Sequence, residues 1–302
     1  MRIPSYYPYR SAAARDAYLS FCDSIDKQWP VVSQSRMVST SFGRTFVRVS
    51  GPAEGEPLVL LPGMASTSLF WAPNIEALSK RHRIYAVDII GEVGRSVCTR
   101  RMAGATDFMN WLDELFTALD LGEKIHLVGM SQGGWLATQY ALRFAGRVRK
   151  LVLLAPAATV LPIRWAFYFR GALVLTGRRY FAKAAVYWLL EDVGRKDAAR
   201  MEASVDRALL TSRCMQPRRR IALTVLQDHE LRSLRVPTLF LVGEHEKIYS
   251  AEKAVRRLNS IAPRVRTEII PDAGHDLTIA QPELVSRKIL EFLTCPPDEA
   301  PF

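Results

Sequence analysis

The 302-residue sequence predicts an α/β fold, with a mostly parallel sheet covered by helices on both faces. Short runs rich in Val, Ile and Leu are typical of strands buried on both faces, and they read "PLVLLPG", "RIYAVDII", "KIHLVGM", "RKLVLLAP", "PTLFLVGE" and "RTEIIPDAG". Amphipathic patterns typical of helices lie between most of them, such as "TDFMNWLDELFTALD" and "GGWLATQYALRFAGR", and "QPELVSRKILEFL" closes the series. Strands that alternate with helices favour a parallel sheet.

The elements follow in a definite order along the chain. After an amphipathic N-terminal segment, "SRMVSTSF" and "RTFVRVSG" alternate apolar and polar residues around a glycine, which predicts a hairpin. The predicted parallel strands come next, but the interval between "LVLLAP" and "PTLFLVGE" is too long for one crossover helix. We therefore expect an N-terminal part of the core at residues 1–160, an inserted helical cap at 161–235 and a C-terminal part of the core at 236–302.

Composition restricts the class of protein. With 49% hydrophobic residues, the chain can bury a substantial core, which argues against disorder. The N-terminus lacks an apolar core of signal-peptide length, and no stretch approaches the roughly 20 apolar residues that span a bilayer, so we expect a cytoplasmic protein. The cysteines are far apart in the sequence and form no CxxC pair, which predicts reduced thiols without a zinc site or disulfide framework; they are Cys22, Cys98, Cys214 and Cys295.

The net charge of +11 is concentrated in the predicted cap, where 15 Lys or Arg stand against 7 Asp or Glu. Solvated helix faces are the usual reason for such a segment, and no nucleic-acid-binding motif accompanies it. Its many aromatic and aliphatic residues form either the core of the cap or an apolar pocket above the sheet. Contact with a membrane surface is a weaker alternative.

Residues that follow the predicted strands carry the candidate chemistry, because ligands bind at the carboxyl ends of parallel strands. Ser131 follows "KIHLVGM" in the stretch "HLVGMSQGGW", and flanking glycines allow a sharp turn into a helix. The backbone N–H groups of Gln132, at the start of that helix, and of Met64, in the loop after "LVLLPG", are the candidate oxyanion donors. A serine needs a base to remove its proton, and a neutral histidine oriented by a carboxylate suits that task.

Five histidines compete for the role of base. His275 follows a turn and precedes the last helix, which makes it the best candidate. His126 lies inside a strand, where a structural role is normal, and His82 is expected to be solvated in "KRHR"; His229 and His245 are either structural or shape the pocket. No HxxxH or HExxH spacing occurs, so neither a catalytic metal nor a cofactor is expected.

The carboxylate is chosen from four acidic residues near these strand ends. Glu246 lies at the mouth of its strand and is the preferred acid, whereas Glu244 is expected to point to the opposite side. Asp272 and Asp276 flank the histidine turn and are expected to form local hydrogen bonds. Simple surface charge is the alternative for all four.

Taken together, these residues resemble the α/β-hydrolase fold family from about residue 36 to 294. The matching pieces are "LLPGMASTSLFW", "YAVDIIGEVGRS", "LVGMSQGG", "LVGEHEKIYS" and "IPDAGHDLTIAQPE". Three departures stand out: Glu246 replaces the usual aspartate, "PGM" replaces a His-Gly loop, and "DIIGEVGRS" is one residue longer than the common turn. Ser131 stands in the sharp turn where a dehalogenase of this family has aspartate. This argues against dehalogenase activity.

The leading hypothesis is a metal-free, carboxylesterase-like serine hydrolase that cleaves small carboxylic esters with apolar groups through an acyl-enzyme. Hydrolysis of acyl thioesters or of carbon–carbon bonds is an alternative within the same class, and a non-catalytic pocket protein is an alternative from another class. Five apolar residues are candidates for the substrate pocket, with core packing as the alternative for each: Phe70, Trp71, Met130, Trp165 and Phe169.

Overall fold

The computed structural model describes residues 7–216 and 221–295, which build one nine-stranded sheet with helices packed against it. The strands in chain order are β1 (Ser33–Thr40), β2 (Gly43–Ser50), β3 (Glu56–Leu61), β4 (His82–Val87), β5 (Val97–Cys98), β6 (Ile125–Met130), β7 (Val148–Leu154), β8 (Thr238–Gly243) and β9 (Val265–Ile270). Their order across the sheet is β1-β2-β4-β3-β6-β7-β8-β9, and β5 pairs with β2.

The strand pairing confirms the predicted fold class. β1 and β2 form the expected antiparallel hairpin, closed by the pair Thr40 and Gly43. β2 also pairs antiparallel with β4, while β4, β3, β6, β7, β8 and β9 are joined by parallel pairs. All six predicted parallel strands are present.

Two details of the sheet differ from the prediction. The short strand β5, at Val97–Cys98, was not predicted from the sequence. β9 was expected to be buried on both faces, but it is the last strand of the sheet, and Ile269 near its end is 41% exposed. A strand at an edge has a neighbour on one side only, so its apolar residues are covered incompletely.

The helices cover both faces of the sheet. In chain order they are α1 (Ala12–Asp26), α2 (Ala72–Leu78), α3 (Ala105–Ala118), α4 (Gln132–Arg143), α5 (Trp165–Val174), α6 (Arg179–Leu189), α7 (Glu191–Lys196), α8 (Ala198–Cys214), α9 (Asp228–Ser233), α10 (Ala251–Ile261), α11 (Leu277–Ala280) and α12 (Pro282–Thr294). Two short 3-10 helices, Ser68–Trp71 and Ala145–Arg147, complete the set.

The core is divided into two layers by the sheet, and β3 shows how the sequence produces them. Val59 and Leu61 belong to the cluster under α3, α4 and α10, whereas Leu58 and Leu60 belong to the cluster under α2 and α12. Successive side chains of a strand point to opposite faces, so a continuous apolar run fills both layers. Leu239 and Phe240 of β8 divide in the same way.

The segment predicted as a cap carries α5 to α9 between β7 and β8. Ala182, Val205 and Leu209 form a small buried cluster between α6 and α8. The last part of the segment packs differently, because Leu226 and Leu231 belong to the cluster under α3, α4 and α10. The division of the chain into a core and a separate cap stays a prediction.

The N-terminal segment lies against this region. α1 packs on α8, and Tyr9, Cys22 and Cys214 are buried in one cluster between them. The Tyr9 hydroxyl donates a hydrogen bond to the Gly94 carbonyl (2.9 Å) and accepts one from the Gly94 N–H (2.7 Å). The segment is thereby tied to the long turn that follows β4.

Within residues 7–216 and 221–295, no helix has the length and apolar character needed to cross a membrane. The cellular location of the protein stays a prediction.

Candidate active site

Loops at the carboxyl ends of β6, β8 and β9 bring three of the predicted residues together. The Ser131 Oγ lies 3.0 Å from His275 Nε2, and His275 Nδ1 lies 2.9 Å from Glu246 Oε2. All three residues are buried. A nucleophile, a base and a carboxylate therefore form one continuous line of hydrogen bonds.

Ser131 occupies a strained position between β6 and α4. Its backbone has φ 53° and ψ −115°, in the positive-φ region that side chains disfavour. Hydrogen bonds to the neighbouring strand and its loop hold it there: the Ser131 N–H donates to Leu154 (2.9 Å), and the Ser131 carbonyl accepts from Ala157 (3.1 Å). These hydrogen bonds offset the strain and keep Ser131 at the edge of the sheet.

The glycines around Ser131 are required by close backbone contacts. A Cβ on Gly129 would lie 2.3 Å from the Gly133 carbonyl oxygen, and one on Gly133 would lie 2.2 Å from that of Leu61. A Cβ on Gly134 would come within 2.8 Å of Pro156 Cβ. Side chains at the first two positions would therefore clash with the backbone, and the absence of a side chain at the third lets α4 lie close to Pro156.

His275 is positioned by the turn after β9. The Asp276 carboxylate accepts hydrogen bonds from the Gly274 N–H (3.0 Å) and from the Val193 N–H of α7 (3.2 Å). The first of these is the local bond expected from the sequence, and the second joins the histidine loop to α7. Burial raises the pKa of Asp276, although these N–H groups oppose the shift.

Glu246 reaches His275 by folding back along its own loop. Its Oε1 accepts a hydrogen bond from the Ile248 N–H at 2.9 Å, which leaves Oε2 facing the imidazole. Burial alone would lower the pKa of His275, but the charge and hydrogen bond of Glu246 outweigh burial and raise it. Glu244 is exposed and accepts a hydrogen bond from the Asp272 N–H (3.3 Å), so it lies away from the imidazole.

One candidate oxyanion donor, Gln132, directly follows the serine, and the loop that carries the other, Met64, comes close to it. Gln132 is the first residue of α4, where an N–H has no carbonyl partner within its own helix. The loop after β3 also approaches the serine, since a Cβ on Gly63 would lie 3.4 Å from Ser131 Cβ. Met64 follows Gly63 in that loop and is partly buried.

Asp88 is a buried residue near this edge that the sequence reasoning missed. It follows β4 directly, and its carboxylate accepts hydrogen bonds from the Ser68 N–H (2.7 Å) and the Arg95 N–H (2.9 Å). It therefore joins the loop that carries Met64 to the turn after β4. The one acidic residue in the otherwise apolar second half of "RIYAVDII" was the signal that could have identified it.

The five predicted pocket residues lie in three different environments. Trp71 and Met130 are buried in the core layer under α2 and α12, and Phe70 packs partly buried against Trp71 with ring centroids 5.2 Å apart. Trp165 and Phe169 are 74% and 55% exposed on α5. A pocket role for these residues stays a prediction.

Helix α7 is fixed to the loop that carries Glu246. His245 Nδ1 lies 3.0 Å from Asp192 Oδ1, and Lys247 Nζ lies 2.8 Å from the Glu191 carboxylate. Asp192 is buried, so His245 takes the structural role that was one of its two sequence-based interpretations.

His82 was expected to be solvated, and this prediction is wrong. His82 is buried at the opposite end of the sheet, with its ring centroid 5.7 Å from that of His126. His126 is also buried, and its Nε2 lies 3.1 Å from Glu56 Oε2. The prediction was based on the charged neighbours of His82 in the sequence. They do not show that strand pairing turns the His82 side chain inward.

Glu56, His82 and His126 could offer one ligand atom each to a metal ion, since these atoms lie within 4.8 Å of one another. Arg149 lies 3.9 Å from the Glu56 carboxylate, which opposes the binding of a cation there. The three residues lie at the amino ends of β3, β4 and β6. This is the end of the sheet opposite Ser131.

The chain as a whole is similar to known proteins of one family. Residues 58–288 match the model of a family described as the alpha/beta hydrolase family. An uncharacterized carboxylesterase, nap, of Bacillus subtilis is 38% identical over 87% of this chain and 88% of its own length, and carboxylesterase YbfK of the same organism is 35% identical over 93% and 96%. The crystal structure of naproxen esterase from Bacillus subtilis superposes with a TM-score of 0.86 at 33% identity, over 94% of this chain and all of the other.

Proposed function

The chain belongs to the alpha/beta hydrolase family, and from this premise we propose that it is a serine ester hydrolase in which Ser131 is the nucleophile, His275 the base and Glu246 the orienting acid. The observation that carries the proposal is the pair of hydrogen bonds of 3.0 Å and 2.9 Å that joins the three side chains. The relatives described as carboxylesterases match nearly the whole chain, which supports an ester as the substrate.

The geometry fits each chemical step of acyl transfer. A carboxylate only accepts hydrogen bonds, so Glu246 holds the tautomer of His275 that carries its proton on Nδ1. The Nε2 lone pair then faces the Ser131 hydroxyl and takes its proton as Oγ attacks the ester carbonyl. The imidazolium that forms is stabilised by Glu246 and returns the proton to the alcohol that leaves.

The tetrahedral oxyanion is placed between two backbone donors, the N–H groups of Met64 and Gln132. The positive end of the α4 dipole adds to the second of these. One such donor contributes about 3 kcal/mol of transition-state stabilisation. Water then attacks the acyl-enzyme by the same route, again with His275 as base.

A small ester with apolar groups is the proposed substrate class, because the site lies among buried apolar residues such as Met130 and Trp71. Phe70 lies at the border of this layer and is the pocket residue whose partial burial fits contact with a ligand. The length of the acyl chain can be measured with a p-nitrophenyl ester series from acetate to longer acids.

Ser131→Ala is the variant that tests the proposal. We expect its kcat/KM on the ester series to fall by roughly 10⁴-fold or more, because the loss of the nucleophile removes the acyl-enzyme route. Ser204→Ala, which changes a hydroxyl on α8 that only donates to the Arg200 carbonyl, is the matched control and should retain activity. Full turnover by Ser131→Ala would refute the assignment.

The same measurement separates the alternatives that the sequence left open. A thioester hydrolase would prefer acyl-CoA over p-nitrophenyl esters, with a KM that rises with salt. A carbon–carbon bond hydrolase would turn over a diketone-like substrate in preference to esters. A non-catalytic protein would show no turnover by the parent, and ligand-induced stabilisation that survives Ser131→Ala.

A further inference from the structure

Helix α5 is apolar and yet has no buried residue. Its sequence, "WAFYFRGALV", contains a single charged side chain. An apolar stripe on a surface helix ordinarily packs against a core. In α5, Phe167 and Val174 pack partly buried against buried clusters, but other apolar side chains face outward, and no element within residues 7–216 and 221–295 buries them.

The outward residues lie on one face of the helix. Trp165, Tyr168, Phe169 and Ala172 are exposed at the helical spacing i, i+3, i+4 and i+7, and Leu175 directly after the helix extends the row. We call these five residues the α5 stripe. The Trp165 and Phe169 rings lie 5.7 Å apart and form its aromatic end.

Exposed apolar side chains are concentrated in this part of the molecule. Among the residues that the structure describes, nine large hydrophobic side chains are exposed, and six of them lie between 165 and 187: Trp165, Tyr168, Phe169, Leu175, Tyr180 and Tyr187. Contiguous apolar surface of this kind marks a site of interaction with a protein or a membrane.

The positive charge around the stripe favours a membrane over a protein as the partner. Residues 161–190 contain five Lys or Arg and no Asp or Glu. Arg179 and Lys183 are paired with acidic residues of α8, but Arg164 and Arg178 are exposed at the two ends of the stripe. Aromatic side chains flanked by arginines complement an anionic lipid surface, where the rings enter the headgroup layer and the guanidinium groups meet phosphates.

The stripe also begins next to the candidate active site. The Arg164 N–H donates to the Ile248 carbonyl at 2.7 Å, and the Ile248 N–H donates to Glu246 at 2.9 Å. One end of α5 is therefore two hydrogen bonds from the candidate acid. A surface bound to the stripe would lie close to the site.

We propose that the α5 stripe docks on an anionic phospholipid surface, with Trp165 and Phe169 inserted at the headgroup level and Arg164 and Arg178 bound to phosphates. Docking concerns binding alone, so it holds or fails independently of the proposed ester hydrolysis.

Vesicle sedimentation tests the apolar part of the proposal. The parent protein should bind vesicles of 30% phosphatidylglycerol in phosphatidylcholine, with much weaker binding to pure phosphatidylcholine and to either at high salt. Trp165→Ala/Phe169→Ala should reduce the partition coefficient roughly tenfold or more, because two rings no longer enter the interface. Val32→Ala shortens a 92% exposed apolar side chain outside the stripe and is the control.

The charged part has its own test and control. Each of Arg164→Gln and Arg178→Gln should weaken binding to the anionic vesicles about fivefold at low salt. Arg256→Gln, on α10, removes an exposed arginine elsewhere and should leave the partition coefficient close to that of the parent.

Tryptophan emission supplies a local signal for docking. Of the six tryptophans, Trp165 is the exposed one, so its emission should shift to the blue on binding, and Trp165→Phe should abolish the shift. Unchanged thermal unfolding midpoints would show that the variants are folded.

Three results would overturn the proposal. One is the absence of binding to anionic vesicles at low salt, and another is binding that Trp165→Ala/Phe169→Ala does not weaken. The third is a dimer in sedimentation velocity that the same double variant dissociates, because a second copy of the chain would then cover the stripe.

Discussion

The carboxylate of Glu246 makes two hydrogen bonds. At the level of single residues, they explain how the longer glutamate side chain can contact His275. The bond from the Ile248 N–H turns the side chain back toward its own loop, which takes up the length of the extra methylene. The other oxygen then reaches His275 Nδ1 at 2.9 Å. The position of the acid is set by a backbone donor two residues further along the chain.

Replacement of Glu246 by Gln should change both the rate and its pH dependence. The base must be neutral to act, so kcat/KM of the parent should rise with pH through the raised pKa of His275. Without the carboxylate, burial lowers that pKa, and the acid limb of the profile should move to lower pH. The plateau of kcat/KM should fall about 10³-fold, because the amide no longer selects the tautomer.

A pH profile of kcat/KM on a soluble p-nitrophenyl ester measures both effects. Glu244→Gln, which alters the exposed carboxylate two residues earlier, is the control and should reproduce the parent profile. An acid limb that stays in place in Glu246→Gln would show that Glu246 does not act on His275.

At the scale of elements, the N-terminal segment contributes a contact that strand and helix patterns do not reveal. Tyr9 precedes α1, and its buried hydroxyl satisfies both the N–H and the carbonyl of Gly94. Gly94 lies in the long turn after β4 with φ 140°, where a Cβ would meet the Asp88 carboxylate at 2.6 Å. Tyr9 and Asp88 together hold this turn beside the loop that carries Met64.

Tyr9→Phe should therefore destabilise the protein by about 2–3 kcal/mol, because two buried backbone groups lose their partner without any change in ring packing. Chemical denaturation measures this loss as a lower midpoint with an unchanged slope. Tyr7→Phe, at a partly buried ring 5.8 Å from that of Tyr9, is the control and should cost far less. Equal stability of Tyr9→Phe and the parent would mean that the turn does not depend on the segment.

Across the whole molecule, the two ends of the sheet bury different titratable groups. The carboxyl ends hold Ser131, Glu246 and His275, and the amino ends hold the buried pair His82 and His126. Burial lowers the pKa of His126 to about 4, although the hydrogen bond and charge of Glu56 oppose the shift. His126 is therefore neutral in the folded protein throughout the range in which an unfolded histidine becomes charged.

The linkage between protonation and folding fixes the sign of the effect. The folded pKa of His126 lies below the value of 6.5 for the free group, so its contribution to stability is full above pH 6.5 and is lost as the pH falls toward 4. Between pH 7 and 4.5 the free energy of unfolding should decrease by about 2–3 kcal/mol from this group alone.

His126→Gln should remove this part of the pH dependence, since an amide does not titrate. Denaturation curves at pH 7 and pH 4.5 give the difference for the variant and the parent. His229→Gln, at an exposed histidine of α9, serves as the control and should keep the slope of the parent. The same slope in His126→Gln would show that His126 is not the group responsible.

The six parallel strands and the hairpin could be predicted from the sequence alone, because periodicity is a local property that burial on one or two faces imposes directly. The sequence also placed Ser131, Glu246 and His275 at one edge, since the carboxyl ends of parallel strands must converge. Tertiary structure alone decided that β9 lies at the edge of the sheet, that His82 is buried against His126, and that α5 presents its aromatic side chains outward. These features depend on which elements become neighbours in the folded chain, and contacts between residues distant in the sequence decide that.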